Sequence, residues 1–134
     1  QELQLHDGRT LAWREAGQGR PLVLLHGWSM SSAVFLEAIE ALSSQFRVLA
    51  PDLRGHGHSS PGEGYRLEEL SDDLLAWLDT LEIVDADLLG WSLGGQVAMR
   101  LASSTPERVN RLALVCSTPR FCSGDGWDGG LSPI

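Results

Sequence analysis

The chain has 134 residues, 43% hydrophobic and 21% charged, the composition of one globular domain rather than a disordered or fibrous segment. Its ten positive charges are all Arg, set against 18 Asp and Glu for a net −8. They are scattered from Arg9 to Arg120 with no basic patch, so nucleic acid is set aside as a partner. Apolar runs such as Pro21–Leu25 fall far short of the roughly 20 residues of a membrane helix. No basic start leads into an apolar stretch, so neither a membrane partner nor a secretory leader is expected.

From Gln1 to Glu15 apolar residues alternate loosely. Leu3 and Leu5, a turn at His6-Asp7-Gly8, then Leu11 and Trp13 predict a β-hairpin leading to a turn at Gly17-Gln18-Gly19. Pro21-Leu22-Val23-Leu24-Leu25 is a continuous apolar run, as in strands buried on both faces. His26-Gly27-Trp28 ends it. Ser31 or Ser32 can cap a helix with Val34, Phe35, Ile39 and Leu42 on one face. Phe46–Ala50 is a short strand stopped by Pro51, and a Gly- and Ser-rich loop runs from Asp52 to Gly62. Leu67, Leu70, Leu74, Leu75, Leu78 and Leu81 recur at helical spacing; Trp77 shares that face, and Glu68, Glu69, Asp72 and Asp73 are expected on a solvated one. Ala86–Gly90 reads as a strand, Leu93–Ser103 as a helix and Arg111–Cys116 as a strand. Strand and helix alternating in this way predict an α/β fold, a mostly parallel sheet with helices on both faces behind an N-terminal hairpin.

Residues 1–116 form the expected core, and residues 117–134, with four glycines and with Pro119 and Pro133, the start of a loop. Cys116 and Cys122 are too few for a disulfide framework or a metal site. They are expected as reduced thiols of a cytoplasmic protein, Cys116 buried in its strand. No metal or cofactor is expected.

Gly90-Trp91-Ser92-Leu93-Gly94 is a G-x-S-x-G with a strand before it and a helix after it, the setting of a nucleophile elbow. In so tight a turn a side chain at Gly90 or Gly94 would collide, and Gly95 would let the helix pack close. Ser92 then stands at a helix N-terminus, where free N–H groups stabilise a developing anion. An oxyanion hole needs two N–H donors. Leu93, the residue after the nucleophile, can give one, and Trp28, which follows His26-Gly27 at an earlier strand end, can give the other.

Together with the Asp52–Ser59 loop, these motifs resemble the α/β-hydrolase family over the whole chain. Within it, Leu24–Trp28, Gly90–Gly95, Ser117-Thr118-Pro119-Arg120-Phe121 and Trp127 resemble the methyl esterases that act on pimeloyl-carrier-protein in biotin synthesis. The resemblance implies Ser92 as nucleophile, Trp28 and Leu93 as oxyanion donors, and His26, Gly27, Gly90 and Gly94 as supports. It implies a small methyl ester, carried on acyl carrier protein, cleaved through an acyl-serine. A serine at the elbow argues against the haloalkane dehalogenases, which carry aspartate there.

The family order is Ser, acid, His, yet His6, His26, His56 and His58 all precede Ser92. Serine needs a base, so the chain is expected to be the N-terminal part of a hydrolase, inactive alone for lack of the triad Asp and His. His56 or His58 as substitute base is weighed and set aside; Asp125 and Asp128 are expected as solvated carboxylates. Arg120 is the one nearby candidate for docking an acidic carrier. The alternatives are a non-catalytic binding module and a broad short-chain esterase. The Arg111–Cys116 strand, left at an edge, is expected to promote self-association.

Overall fold

A computed structural model describes residues 1–132; Pro133 and Ile134, at the end of the expected loop, lie outside the described residues. β1 (Glu2–Gln4) and β2 (Thr10–Ala16) form the hairpin, with Leu3 opposite Leu11. β3 (Pro21–Leu25), β4 (Arg47–Pro51), β5 (Ala86–Trp91) and β6 (Val109–Val115) follow. They join one sheet in the order β1-β2-β4-β3-β5-β6. β2 pairs antiparallel with β4, whereas β4 with β3, β3 with β5, and β5 with β6 are parallel. Pro51 does not stop its strand short: it is the last residue of β4, opposite Trp13.

Side chains alternate across a strand, and this divides the apolar runs between two cores. Val23, Leu25, Leu49 and Leu88 pack with residues of α2 (Leu67–Thr80) and α3 (Leu93–Ser104). Leu24, Val48 and Ala50 pack with Phe35 and Ile39, which belong to a 3-10 turn (Ser32–Phe35) and to α1 (Leu36–Leu42). Each such side chain, taken fully out of water, contributes about 1.5–3 kcal/mol. Helices therefore cover both faces, and β3 lies between β4 and β5 with its C-terminal end beside that of β5.

Three local expectations are corrected. Ser31 caps the 3-10 turn through the Ala33 N–H, and Val34 is exposed while Phe35 and Ile39 are buried. Cys116 follows β6 at φ 47° and is exposed, as is Cys122; both are free thiols. Asp73 is not on a solvated face. It is buried, and its two oxygens take Arg9 Nη1 and Nη2 at 2.8 and 2.6 Å and Arg54 Nε and Nη2 at 2.7 and 2.8 Å. Burial works to raise its pKa, but the bonds from Arg9 and Arg54 outweigh that and hold it below the usual carboxylate range.

Candidate active site at the strand ends

β5 ends at Trp91 and α3 begins at Leu93, so Ser92 makes the turn between them alone. Its backbone lies at φ 54°, ψ −116°, a conformation that L residues avoid at a cost of about 1–3 kcal/mol. Surrounding contacts hold it there. The Ser92 N–H donates to the Val115 carbonyl at 3.0 Å, and its own carbonyl accepts the Gly95 and Gln96 amides at 3.0 and 3.3 Å. The Ser117 hydroxyl donates to that same carbonyl at 2.8 Å. Among the described residues, the Ser92 Oγ has no hydrogen-bond partner, and the residue is half-buried.

The glycines around the turn act for separate reasons. A Cβ at Gly90 would fall on Gly95 Cα and the Gly94 carbonyl, the collision across the turn that the motif implies. At Gly94 the obstacle is different: a Cβ would fall on the Leu25 carbonyl and 2.7 Å from that of His26, so this glycine admits α3 to the end of β3. Gly95 makes room for the Ser117 side chain. The sequence places Ser117 in a resembling stretch but gives no sign of its bond to Ser92, because that contact spans the end of β6.

The second strand end converges on the same place. A Cβ built on Gly27 would lie 3.5 Å from Ser92 Cβ and 3.6 Å from the Trp91 carbonyl, which sets the His26–Trp28 segment against the elbow. Met30 N–H returns to the Gly27 carbonyl at 3.3 Å, closing a turn through Trp28 and Ser29. Neither the Trp28 nor the Leu93 N–H is given to a protein acceptor among the described residues. Trp28 is 66% exposed.

His26 is fully buried and holds this end together. Its Nδ1 meets the Gly27 carbonyl at 2.8 Å, and its Nε2 accepts the Leu53 N–H at 2.9 Å. A carbonyl can only accept, so Nδ1 carries the hydrogen and the ring is neutral. Burial lowers its pKa, with the Gly27 bond acting in the opposite direction. Asp52, also buried, accepts the Ser32 and His58 N–H groups at 2.7 and 2.9 Å. Burial works to raise its pKa, but these bonds keep it below the ordinary value. His56 has both nitrogens engaged, with the Arg54 carbonyl at 2.9 Å and the Ser29 N–H at 3.2 Å. His26 and His56 are thus committed to the backbone, and neither bonds Ser92. Asp125 and Asp128 are exposed, beyond β6.

A serine hydroxyl at an open strand end, beside two N–H groups unclaimed among the described residues, is an arrangement that could serve acyl transfer once a base is supplied. A family sequence profile described as alpha/beta hydrolase fold matches residues 20–129, and the chain belongs to that family. It is 44% identical over 120 residues to a pimeloyl-[acyl-carrier protein] methyl ester esterase of Vibrio campbellii, covering 90% of this chain and 46% of that protein. A namesake from Aliivibrio salmonicida is 41% identical over 125 residues, covering 93% and 46%. Among solved structures, an esterase from Exiguobacterium antarcticum superposes with a TM-score of 0.90 at 28% identity, covering 98% of this chain and 50% of that one. A hydrolase from Pseudomonas aeruginosa gives 0.85 at 38%, covering 92% and 47%. The chain spans about half the length of the curated relatives it matches.

Proposed function

We propose that this chain carries the nucleophile and the oxyanion hole of a serine carboxylesterase, cleaving the methyl ester of a pimeloyl group held on acyl carrier protein. The observation that carries the reading is the Ser92 turn, strained at positive φ, with the Trp28 and Leu93 amides unclaimed among the described residues. The identity to the methyl ester esterases supports the substrate. In this reading a base takes the Ser92 Oγ proton as the oxygen attacks the ester carbonyl. The negative oxygen is held by the N–H groups of Trp28 and Leu93. Collapse expels the alcohol, protonated by the same base, and leaves an acyl-serine; water then releases the acid and restores Ser92.

In this reading the base comes from elsewhere: His26 and His56 spend both nitrogens on the backbone, and among the described residues neither His6 nor His58 is hydrogen-bonded to Ser92. His26, Gly27, Gly90 and Gly94 shape the turn rather than react. The setting we propose is cytoplasmic; among the described residues no helix is long and apolar enough to cross a membrane. Docking of the carrier is assigned to Arg120, which is exposed.

Intact mass after a serine-directed phosphonate tests the reading. The 134 residues alone are expected to stay unmodified. The whole protein, with its base, is expected to gain one adduct that Ser92→Ala abolishes. An adduct that survives Ser92→Ala, or none in the whole protein, overturns the assignment.

A further inference from the structure

The loop after β4 reaches the oxyanion loop through one side chain. His56 Nδ1 lies 2.9 Å from the Arg54 carbonyl, which fixes the hydrogen on Nδ1 and leaves Nε2 as a bare acceptor in the neutral ring. That acceptor takes the Ser29 N–H at 3.2 Å. The Trp28 indole stands edge-on to the same ring, centroids 5.4 Å apart at 80°, and His26 flanks it at 5.1 Å. Ser29 itself is held at φ 62°, a conformation that an unsupported serine leaves readily. Trp28 is therefore followed by a strained residue whose amide is pinned, and the Trp28 ring leans on the same imidazole.

The anchor behind His56 is rigid. Arg54 is locked by Asp73 of α2 and by the Gly64 and Glu69 carbonyls. A path of named contacts thus runs from α2 through Arg54 and His56 to Ser29 and Trp28.

We propose that His56 is a positioning residue for the oxyanion hole, fixing the direction of the Trp28 N–H by accepting from Ser29 and bracing the Trp28 ring. It takes no part in proton transfer. The proposal rests on the esterase reading for its consequence in turnover, but its geometry is testable separately.

The experiment compares His56→Phe, which keeps a ring and loses the acceptor, with His56→Gln, whose carbonyl oxygen reaches about as far as Nε2, in the whole protein. By NMR, the wild-type His56 ring is expected as the Nδ1–H tautomer. Exchange of the Ser29 amide is expected to quicken about tenfold or more in His56→Phe and to stay near wild type in His56→Gln, while the Trp28 amide, which has no acceptor to lose, is expected to shift its resonance in His56→Phe alone. On a methyl ester, kcat of His56→Phe is expected to fall about tenfold with KM little changed, less than the hundredfold or more of deleting an oxyanion donor. His56→Gln is expected to recover most of it. An Nε2–H tautomer, or unchanged Ser29 exchange with an unmoved Trp28 amide resonance in His56→Phe, overturns the proposal. So does equal loss in both variants together with a matching fall in Tm, which marks a role in the scaffold alone. A wild-type protein that does not cleave the ester overturns the esterase reading instead, and the exchange data still decide for or against the clamp.

Discussion

Gly94→Ala probes the junction on which the candidate site depends. The added Cβ would meet the Leu25 carbonyl and lie 2.7 Å from the His26 carbonyl, and both obstacles are backbone. No rotamer relieves such a clash, so the first turn of α3 and the end of β3 must separate by roughly 1 Å to regain ordinary contact. Overpacking of this kind costs about 1–3 kcal/mol. For 134 residues, at about 2.1 cal/mol/K of unfolding entropy per residue, that is a fall of roughly 4–10 °C in Tm. The functional cost is larger. Leu93 precedes Gly94 and moves with it, and a 1 Å error in a reacting geometry costs about a hundredfold in rate. The assay is a thermal melt beside the burst of alcohol released from a chromogenic ester by the whole protein. Gly27→Ala is the matched control: its Cβ would meet Met30 Sδ and Ser92 Cβ at 3.5 Å, ordinary contact, so Tm holds while a methyl group stands beside the nucleophile and slows acylation. Gly94→Ala with wild-type Tm and a burst within about threefold of wild type would refute the argument.

Asp73→Ala leaves Arg54, whose side chain is 9% exposed, without its carboxylate. A loss of about 3 kcal/mol is expected, roughly 10 °C in Tm, and a melt within 2 °C of wild type counts against it. Because the Asp73 pKa is depressed in the fold, the stability it supplies is complete above the unfolded value of about 3.9 and is lost as pH falls through the lower folded value. His26 is depressed too, through burial. Its contribution is complete above about pH 6.5 and fades below it, because the unfolded ring takes up a proton that the buried one resists. An NMR titration should find the His26 midpoint below the ordinary histidine value, and half-protonation at about 6.5 or above would contradict the burial argument. Among the described residues the outer edge of β6 has no strand beside it in the sheet, and Leu112, Leu114 and Val115 are 38–42% exposed. The 134 residues alone should therefore self-associate, more weakly after Leu114→Lys; sedimentation as a strict monomer at high concentration speaks against this.

What the sequence made legible was local. Periodicity located the hairpin, β3, α2 and α3 to within a few residues, because burial on one or two faces writes itself into spacing. The elbow was legible because G-x-S-x-G between strand and helix leaves few other geometries. What escaped were contacts between residues far apart in the chain. Asp73 reads as one acid among four on α2, and only the fold brings Arg9, 64 residues away, to its oxygens. Ser117 and Ser92 meet because β5 and β6 are parallel neighbours with Trp91 opposite Val115. Cys116 is exposed for a related reason: an apolar run suggests a buried strand, but among the described residues β6 has a neighbour on one side only.

The same distinction explains why the histidines are a poor guide here when counted and a good one when placed. The four histidines ahead of Ser92 offer a substitute base only on paper, though His26 and His56 do lie on the strand-end loops beside the elbow. Each, however, already gives one nitrogen to a carbonyl and takes an N–H with the other. A ring so committed must break a backbone bond before it can receive a proton from Ser92, and at His26 it must also carry charge in a buried site. The cost of both falls on the loop that positions the Trp28 amide, so recruiting either ring as base would loosen the oxyanion hole it was meant to serve. On the proposed esterase reading, nucleophile activation and oxyanion positioning therefore fall to different groups. The two histidines near the elbow fit only the second task, and a base for Ser92 would approach from the open side of the turn.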